Sequence, residues 1–287
     1  MNKAIDKVMQ GFFLLCGLVT IACVFVITIY VEVSGIPAIK EIGIVDFLFG
    51  KTWASTAKNP LYGILPFILT SMYGTLGAII LGVPIGFFTA VYLAKFAPRW
   101  VKKSVGFVVS LLASIPSVVY GLVGMLVLVP WIRKIFQIPD GACLLSAMIV
   151  LAIMILPSII NVSMTALDAV PKKYEAGALA LGATECETYF KVSVPAAKSG
   201  IMAAIVLGVG RAIGEAMAVM MVSGNVANMP SLFGSVRFLT TAVASEMSYA
   251  SGVQKQALFS IALVLFAFIM LINWALRKVM AGGDNQA

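Results

Sequence analysis

The chain has 287 residues, 61% of them hydrophobic and only 11% charged, and its mean hydropathy is +1.04. A soluble domain of this size is not that apolar, so the composition excludes an ordinary globular enzyme and points to an all-α polytopic membrane protein. The net charge of +8 falls mostly in short loops, where basic residues set topology and imply membrane lipid as the surroundings, with no nucleic acid.

About 20 apolar residues cross a bilayer as a helix, and six stretches qualify: 8–31, 67–94, 104–129, 144–166, 200–223 and 257–276. Lys3 and Lys7 precede the first, as in a signal peptide. Its apolar run is too long, however, and ends in IYVEVSG with no small-x-small cleavage site, so it reads as a retained helix. On these spans, residues 1–66 form a first helix and an external loop. Residues 67–277 form a core holding a cytoplasmic loop at 168–198, and 278–287 form a tail.

Six spans leave both termini on one side. Lys3, Lys7, Lys95, Arg99, Lys102, Lys103, Lys172, Lys173, Lys191, Lys198, Arg277 and Lys278 fall there. Lys40, Lys51, Lys58, Arg133, Lys134, Arg237 and Lys255 fall on the other. Twelve against seven makes the first side cytoplasmic and places the chain in the cytoplasmic (inner) membrane with both ends inside. The second, third and fourth spans carry GVPIG at 82–86, SIPS at 114–117 and ILPS at 155–158. Proline frees a backbone carbonyl, so each point kinks unless neighbours satisfy it. Two readings stand: ordinary kinks, or kinks lining a pathway on which the hydroxyls of Ser114 and Ser117 face a polar cavity.

Between spans four and five, DAVPKKYEAGALALGATECETYFKVSVPAAKSGI (168–201) is too amphipathic for plain linker. Pro171 suits a first helical turn, and Tyr174, Ala178 and Leu181 repeat at helical spacing. Gly182 is a stop. Thr184 and Glu187 form a T-x-x-E capping box that opens a second short helix, and Pro195 closes it. Two short helices exposing apolar residues ask for a partner or lie on the bilayer. The stretch EAGALALGATECETYFKVSVP resembles the E-A-A-x-x-x-G loop of binding-protein-dependent ABC importer permeases. Glu175, Ala176 and Gly182 stand in its key positions, Gly177 replaces the second alanine, and Pro195 closes the motif. The resemblance implies a MetI-like permease fold and a loop that inserts into an ATPase subunit. It implies no cofactor in this chain, ATP and Mg being used by the partner. The chain holds no G-x-x-x-x-G-K-[ST] of its own.

In span five, GVGRAIGEAMAVMMVSGN (208–225) places Arg211 near mid-membrane, with Glu215 four residues on and therefore expected on the same helix face. A lone arginine at that depth costs roughly 2.5–3.5 kcal/mol. The pair either reduces its own burial cost or holds a substrate. A guanidinium offers a planar fork to an oxyanion. Phosphate at neutral pH keeps a hydroxyl proton that a carboxylate can accept, and sulfate has none, so Arg211 with Glu215 would take one and refuse the other. Gly208, Gly210 and Gly214 let a backbone or a ligand come close.

This segment resembles the fifth-helix signature of phosphate-specific ABC importer permeases. So do IPSVVYGLVGMLVLVP at 115–130, LYGILPFILTSMYGTLGAI at 61–79 and FLFGKTW at 47–53. Of the two permease types in such importers, PstC and PstA, the likeness is to PstC. It implies Arg211 and Glu215 as phosphate-contacting positions, and a PstA-type chain as heterodimer partner. It also implies an ATPase dimer on the cytoplasmic loop and an external phosphate-binding protein. Relatives usually read GET where this chain has Ala216, which removes one hydroxyl near the site.

The connection after span five carries Arg237 and Glu246 at helical periodicity and is either an interfacial helix or an external gate or dock. The 32–66 loop with Trp53 invites the same two readings. Ser223 and Asn225 extend a polar path above Arg211. Three rival functions remain: a permease for sulfate, molybdate or phosphonate, which anion competition would separate, Glu215 arguing for a protonated anion; a secondary transporter or channel, against which the 168–198 loop argues; and an intramembrane enzyme. The spans hold no histidine, no paired aspartates and no nucleophile–base pair to support the last.

Overall fold

Proline accounts for one helix break in this protein and for the places where its helices widen. The computed structural model describes residues 3–284. α1 (Lys3–Ile42) is followed by α2 (Ile44–Phe49), a two-rung antiparallel hairpin β1 (Trp53–Ala54) and β2 (Leu61–Tyr62), and α3 (Leu65–Val91). α4 (Arg99–Ser114), α5 (Ser117–Val123), α6 (Val129–Phe136) and α7 (Leu144–Asp168) come next. The loop holds α8 (Lys172–Ala180), α9 (Glu185–Thr188) and α10 (Val194–Ala196). α11 (Lys198–Gly214), α12 (Met217–Val222), α13 (Leu239–Glu246) and α14 (Gly252–Asp284) complete the fold. α14 thus carries the expected tail in helix as far as Asp284, and residues 285–287 lie outside the described part.

Five helical stretches are by themselves long and apolar enough to span a membrane. A sixth is reached by counting α9–α10 with α11, which meet at 70°. Three wide π-turns interrupt the ladder, at Tyr92–Phe96, Gly124–Leu128 and Tyr189–Ser193. In each, the N–H of the residue before a proline reaches a carbonyl five residues back: Ala97 to Tyr92, Val129 to Gly124 and Val194 to Tyr189. Pro98, Pro130 and Pro195 follow. A proline ring clashes with the carbonyl four residues back, and the wider turn moves that carbonyl aside. Pro84 and Pro157, expected to kink, sit inside unbroken α3 and α7.

Two spans differ from the sequence expectation. Span three is not one helix over 104–129: Ile115 turns extended (φ −68°, ψ 128°) between α4 and α5, because a residue preceding proline is pushed out of the α region. Span five also breaks. Glu215 is extended (φ −73°, ψ 125°) between α11 and α12, so Arg211 and Glu215 do not share one helix face, and the i, i+4 argument fails at its premise. The 32–66 loop is shorter than expected, since α1 runs on to Ile42 and α2 follows.

α7 is the central pillar. One face of α3 packs on it through small residues: a Cβ on Gly82 would lie 2.8 Å from Ile155, and one on Gly86 2.8 Å from Ile159. Side-chain-free surfaces of this kind let membrane helices close on each other. The main buried cluster joins Ala78, Leu151, Met154, Ile155 and Ile159 to Ala212, Ala218 and Val222. A second cluster holds Phe47, Trp53, Ile64, Phe67, Leu239 and Leu258 at the opposite end from the basic loops. By contrast, most large side chains of α1 and of 117–136 are exposed, as lipid-facing surface must be.

Candidate functional site

Two broken spans meet at the centre of the molecule. α5 and α12 cross where a Cβ on Gly121 would lie 2.8 Å from the Ala218 Cα, so only glycine permits the approach. The Tyr120 hydroxyl donates to the Leu112 carbonyl (2.7 Å), which also accepts the Ile115 N–H at the first break (3.3 Å). The second break is capped from within: the Glu215 carboxylate accepts the Ala218 N–H through Oε1 (3.0 Å). Its own carbonyl accepts from Thr240 Oγ1 (2.8 Å).

Arg211 lies in the last turn of α11, half-buried and within electrostatic reach of Tyr120. Among the described residues no ion pair joins it to Glu215. The two charges therefore do not cancel each other, and among the described residues no side-chain donor of Arg211 is taken. Beside it, an added Cβ on Gly210 or Gly214 would meet nothing within 4 Å, whereas one on Gly208 would press on Ile159. The charged turn thus faces open space on one side and the α7 core on the other. Glu215 Oε1 serves α12 and leaves the second oxygen of the carboxylate for another donor.

The other polar positions singled out in the sequence lie as follows. Ser114 is exposed and donates to the Leu111 carbonyl (2.8 Å). The hollow at this break, about 550 Å³, is lined by Leu112, Ile115, Val119, Tyr120 and Trp131 and is almost wholly apolar. Ser117 opens α5, half-buried. Ser223 is fully buried. Asn225 has a left-handed backbone (φ 52°), and its side-chain oxygen is buried without a partner among the described residues.

At the basic end, the loop folds as its residues dictate. Pro171 caps α8. Gly182 (φ 90°) ends it in a Schellman turn, its N–H reaching Leu179 and that of Ala183 reaching Ala178. Thr184 and Glu187 make the reciprocal capping box; Lys191, then the Thr184 N–H and hydroxyl, hold the Glu187 carboxyl down to about 2. Glu175 does not point into solvent. Lys95, from the π-turn after α3, and Ser193 Oγ (2.8 Å), from the π-turn after α9, both donate to its Oε1. Phe96 and Tyr189 pack edge to face at 5.0 Å beside them. Ala176 and Gly177 continue α8, which buries no side chain in this protein. Lys102 and Asp168 add a second tie (2.8 Å) between the same two loops.

Burial acts to raise the Glu175 carboxyl, but Lys95 and Ser193 outweigh it and hold it below its ordinary value. Its anchoring of α8 is therefore complete above the ordinary carboxylate range and is lost as pH falls through the lowered value. Hydrogen-exchange protection of the α8 amides, taken relative to the intrinsic rate at each pH, should be high at neutral pH, fall in acid, and be low at neutral pH in Glu175→Gln. An unchanged profile in that variant would show that the tie does not anchor the helix.

The model of the binding-protein-dependent transport system inner membrane component family matches residues 82–280. The chain belongs to this family. The permease is 40% identical over 290 residues to a probable ABC transporter permease protein, YqgH, of Bacillus subtilis, covering 97% of this chain and 94% of that one. It is 35% identical over 247 residues to the phosphate transport system permease protein PstC of Pasteurella multocida, covering 79% and 77%. Among solved structures it matches a bacterial alginate ABC transporter with TM-score 0.64 at 14% identity, covering 96% of each chain. It also matches the MetNI methionine ABC transporter with TM-score 0.61 at 19% identity, covering 77% and 95%. The MetI-like fold expected from the 175–195 motif is therefore the fold of this permease, a multi-pass membrane transport subunit and not an enzyme.

Sequence reasoning missed Lys95, Ser193, Tyr120 and Thr240. Lys95 was counted only as a topological charge. The other three carry no local pattern, because their partners lie 8 to 25 residues away in the chain.

Proposed function

We infer that this chain is the PstC-type permease subunit of an ATP-driven importer that moves inorganic phosphate across the cytoplasmic membrane. The carrying observation is Arg211: a guanidinium with no hydrogen-bond or ion-pair partner among the described residues, in the last turn of a broken span, beside open glycine faces. A half-buried charge left unpaired at membrane depth is costly, and a dianionic oxyanion is the ligand that would complete it. Glu215 then accepts the phosphate hydroxyl proton on the carboxylate oxygen that α12 does not use. The relatives named PstC support the same substrate.

The open face at Gly210 and Gly214 calls for a second permease chain, of PstA type, to close the path. An ATPase dimer, using ATP and Mg, seats on α8, whose free face is held out by the Lys95–Glu175–Ser193 tie. An external binding protein delivers phosphate, and both termini are cytoplasmic, on the side of the twelve basic residues. Closure driven by ATP exposes the Arg211 turn to one side at a time. The test is labelled phosphate uptake in cells without other phosphate importers, expressing this chain with its partners. Uptake that a large excess of sulfate leaves unchanged is the expected result. Uptake of sulfate or molybdate in its place would refute the substrate.

A further inference from the structure

The Glu215 carbonyl lies outside both half-helices, in a break that faces open space on one side and the core on the other, and a carbonyl left unsatisfied at membrane depth is disfavoured. The donor that reaches it belongs to neither half-helix. Thr240 Oγ1 comes from α13, beyond the connection that follows span five, and lies 2.8 Å away. Thr240 itself is 8% exposed.

α13 is fixed at both ends. At its start the Leu239 N–H donates to Ser71 Oγ on α3 (3.0 Å), and the Phe238 ring fills the place of the missing side chain at Gly74, where a Cβ would clash. At its end Glu246 accepts from Trp53, Ser55, Arg237 and Gln254. A helix so held cannot follow the break; the break must follow it.

We propose that Thr240 is a positioning residue for substrate selection: by fixing the Glu215 carbonyl it sets the backbone from which the Glu215 carboxylate reaches both α12 and the anion. This rests on the reading of Glu215 as acceptor of the phosphate hydroxyl proton. Thr240 touches no substrate. Without its hydroxyl, the carbonyl turns to find another donor, and the carboxylate of the same residue turns with it. A hydroxyl that only filled a hydrogen bond would change the amount of assembled complex and leave selection untouched.

The experiment compares Thr240→Val, which keeps the shape and loses the donor, with Thr240→Ser, which keeps the donor. Both are read in the assembled importer as phosphate KM, maximal uptake per assembled complex, and inhibition by sulfate. Thr240→Val is expected to raise KM by about 2- to 10-fold, the equivalent of one neutral hydrogen bond, and to let sulfate compete, with maximal uptake per complex unchanged. Thr240→Ser is expected to behave as wild type. A wild-type KM and full sulfate resistance in Thr240→Val would overturn the proposal. If Thr240→Val does not assemble, Ser71→Ala decides: it frees the start of α13 without touching the break. A raised KM with sulfate competition supports the role, and unchanged values refute it. An effect at Arg211 with none at Thr240 removes this inference alone, whereas wild-type transport in both Arg211→Ala and Glu215→Gln removes the reading beneath it.

Discussion

Arg211→Ala is expected to abolish phosphate uptake while the protein still reaches the membrane in normal amount. A bidentate, charge-assisted contact with an oxyanion is worth about 3 kcal/mol or more, roughly a hundredfold in affinity. Folding should be spared, because among the described residues Arg211 has no ion-pair partner whose charge its loss would strand. Arg211→Lys keeps the charge but loses the planar fork, so it should retain only a fraction of the uptake. Glu215→Gln is the complementary test. Glutamine can still accept the Ala218 N–H, so the break survives. Its amide can donate, however, and a proton on the anion is no longer required, so sulfate should begin to compete. Uptake of labelled phosphate with and without sulfate reads all three. If Arg211→Ala and Glu215→Gln both transport and discriminate like wild type, the charged turn is structural.

Glu246→Ala should be the most destabilising substitution away from that turn. The carboxylate is 9% exposed and its partner Arg237 16%. Arg237 also donates to the Asn225 carbonyl through Nε (3.0 Å) and Nη2 (2.9 Å). Trp53 Nε1 (3.2 Å), Ser55 Oγ (3.3 Å) and Gln254 Nε2 (3.0 Å) complete the shell. Together they tie the β1–β2 hairpin, the connection before α13, α13 itself and the start of α14. Removing the acceptor strands a buried guanidinium, at a cost of about 3–5 kcal/mol. Ser55→Ala removes one hydroxyl at the rim and should cost about 1 kcal/mol. Thermal denaturation of the detergent-solubilised protein, followed by loss of the monodisperse fraction, should rank Glu246→Ala far below Ser55→Ala. Equal melting of the two would show that the network carries no weight. Among the readings weighed for Arg237 and Glu246, the interfacial helix fails for a plain reason: α13 buries Leu239, Thr241, Ala242 and Glu246.

How much was legible varied with the range of the interaction. The 168–198 loop was legible almost to the residue. Pro171, Gly182 and the Thr184–Glu187 box act within one or two turns, so the rules of capping apply wherever the sequence lies. The break at Ile115 was foreshadowed by Pro116. The break at Glu215 was not, because no proline marks it. It is held by an Ala218 N–H and by a threonine hydroxyl from another helix, and helical spacing alone put Arg211 and Glu215 on a common face. Glu175 was read from its motif as a contact for a partner. Its inward tie to Lys95 spans 80 residues and has no local trace.

By itself, the sequence determined that this is a helical membrane protein, which loops lie together on the basic side, how the short helices of the long loop begin and end, and which charges sit in the apolar interior. Composition, charge count and capping patterns carry those facts because burial cost and local hydrogen bonding act on each residue where it stands. Only the tertiary structure decided that spans three and five are broken and cross at Gly121 and Ala218. It alone decided that Arg211 and Glu215 form no ion pair among the described residues, that Glu175 folds inward, and that Glu246 is a buried junction. In the apolar interior every freed backbone group and every charge must find a partner, and those partners come from helices distant in sequence, chosen by packing against α7.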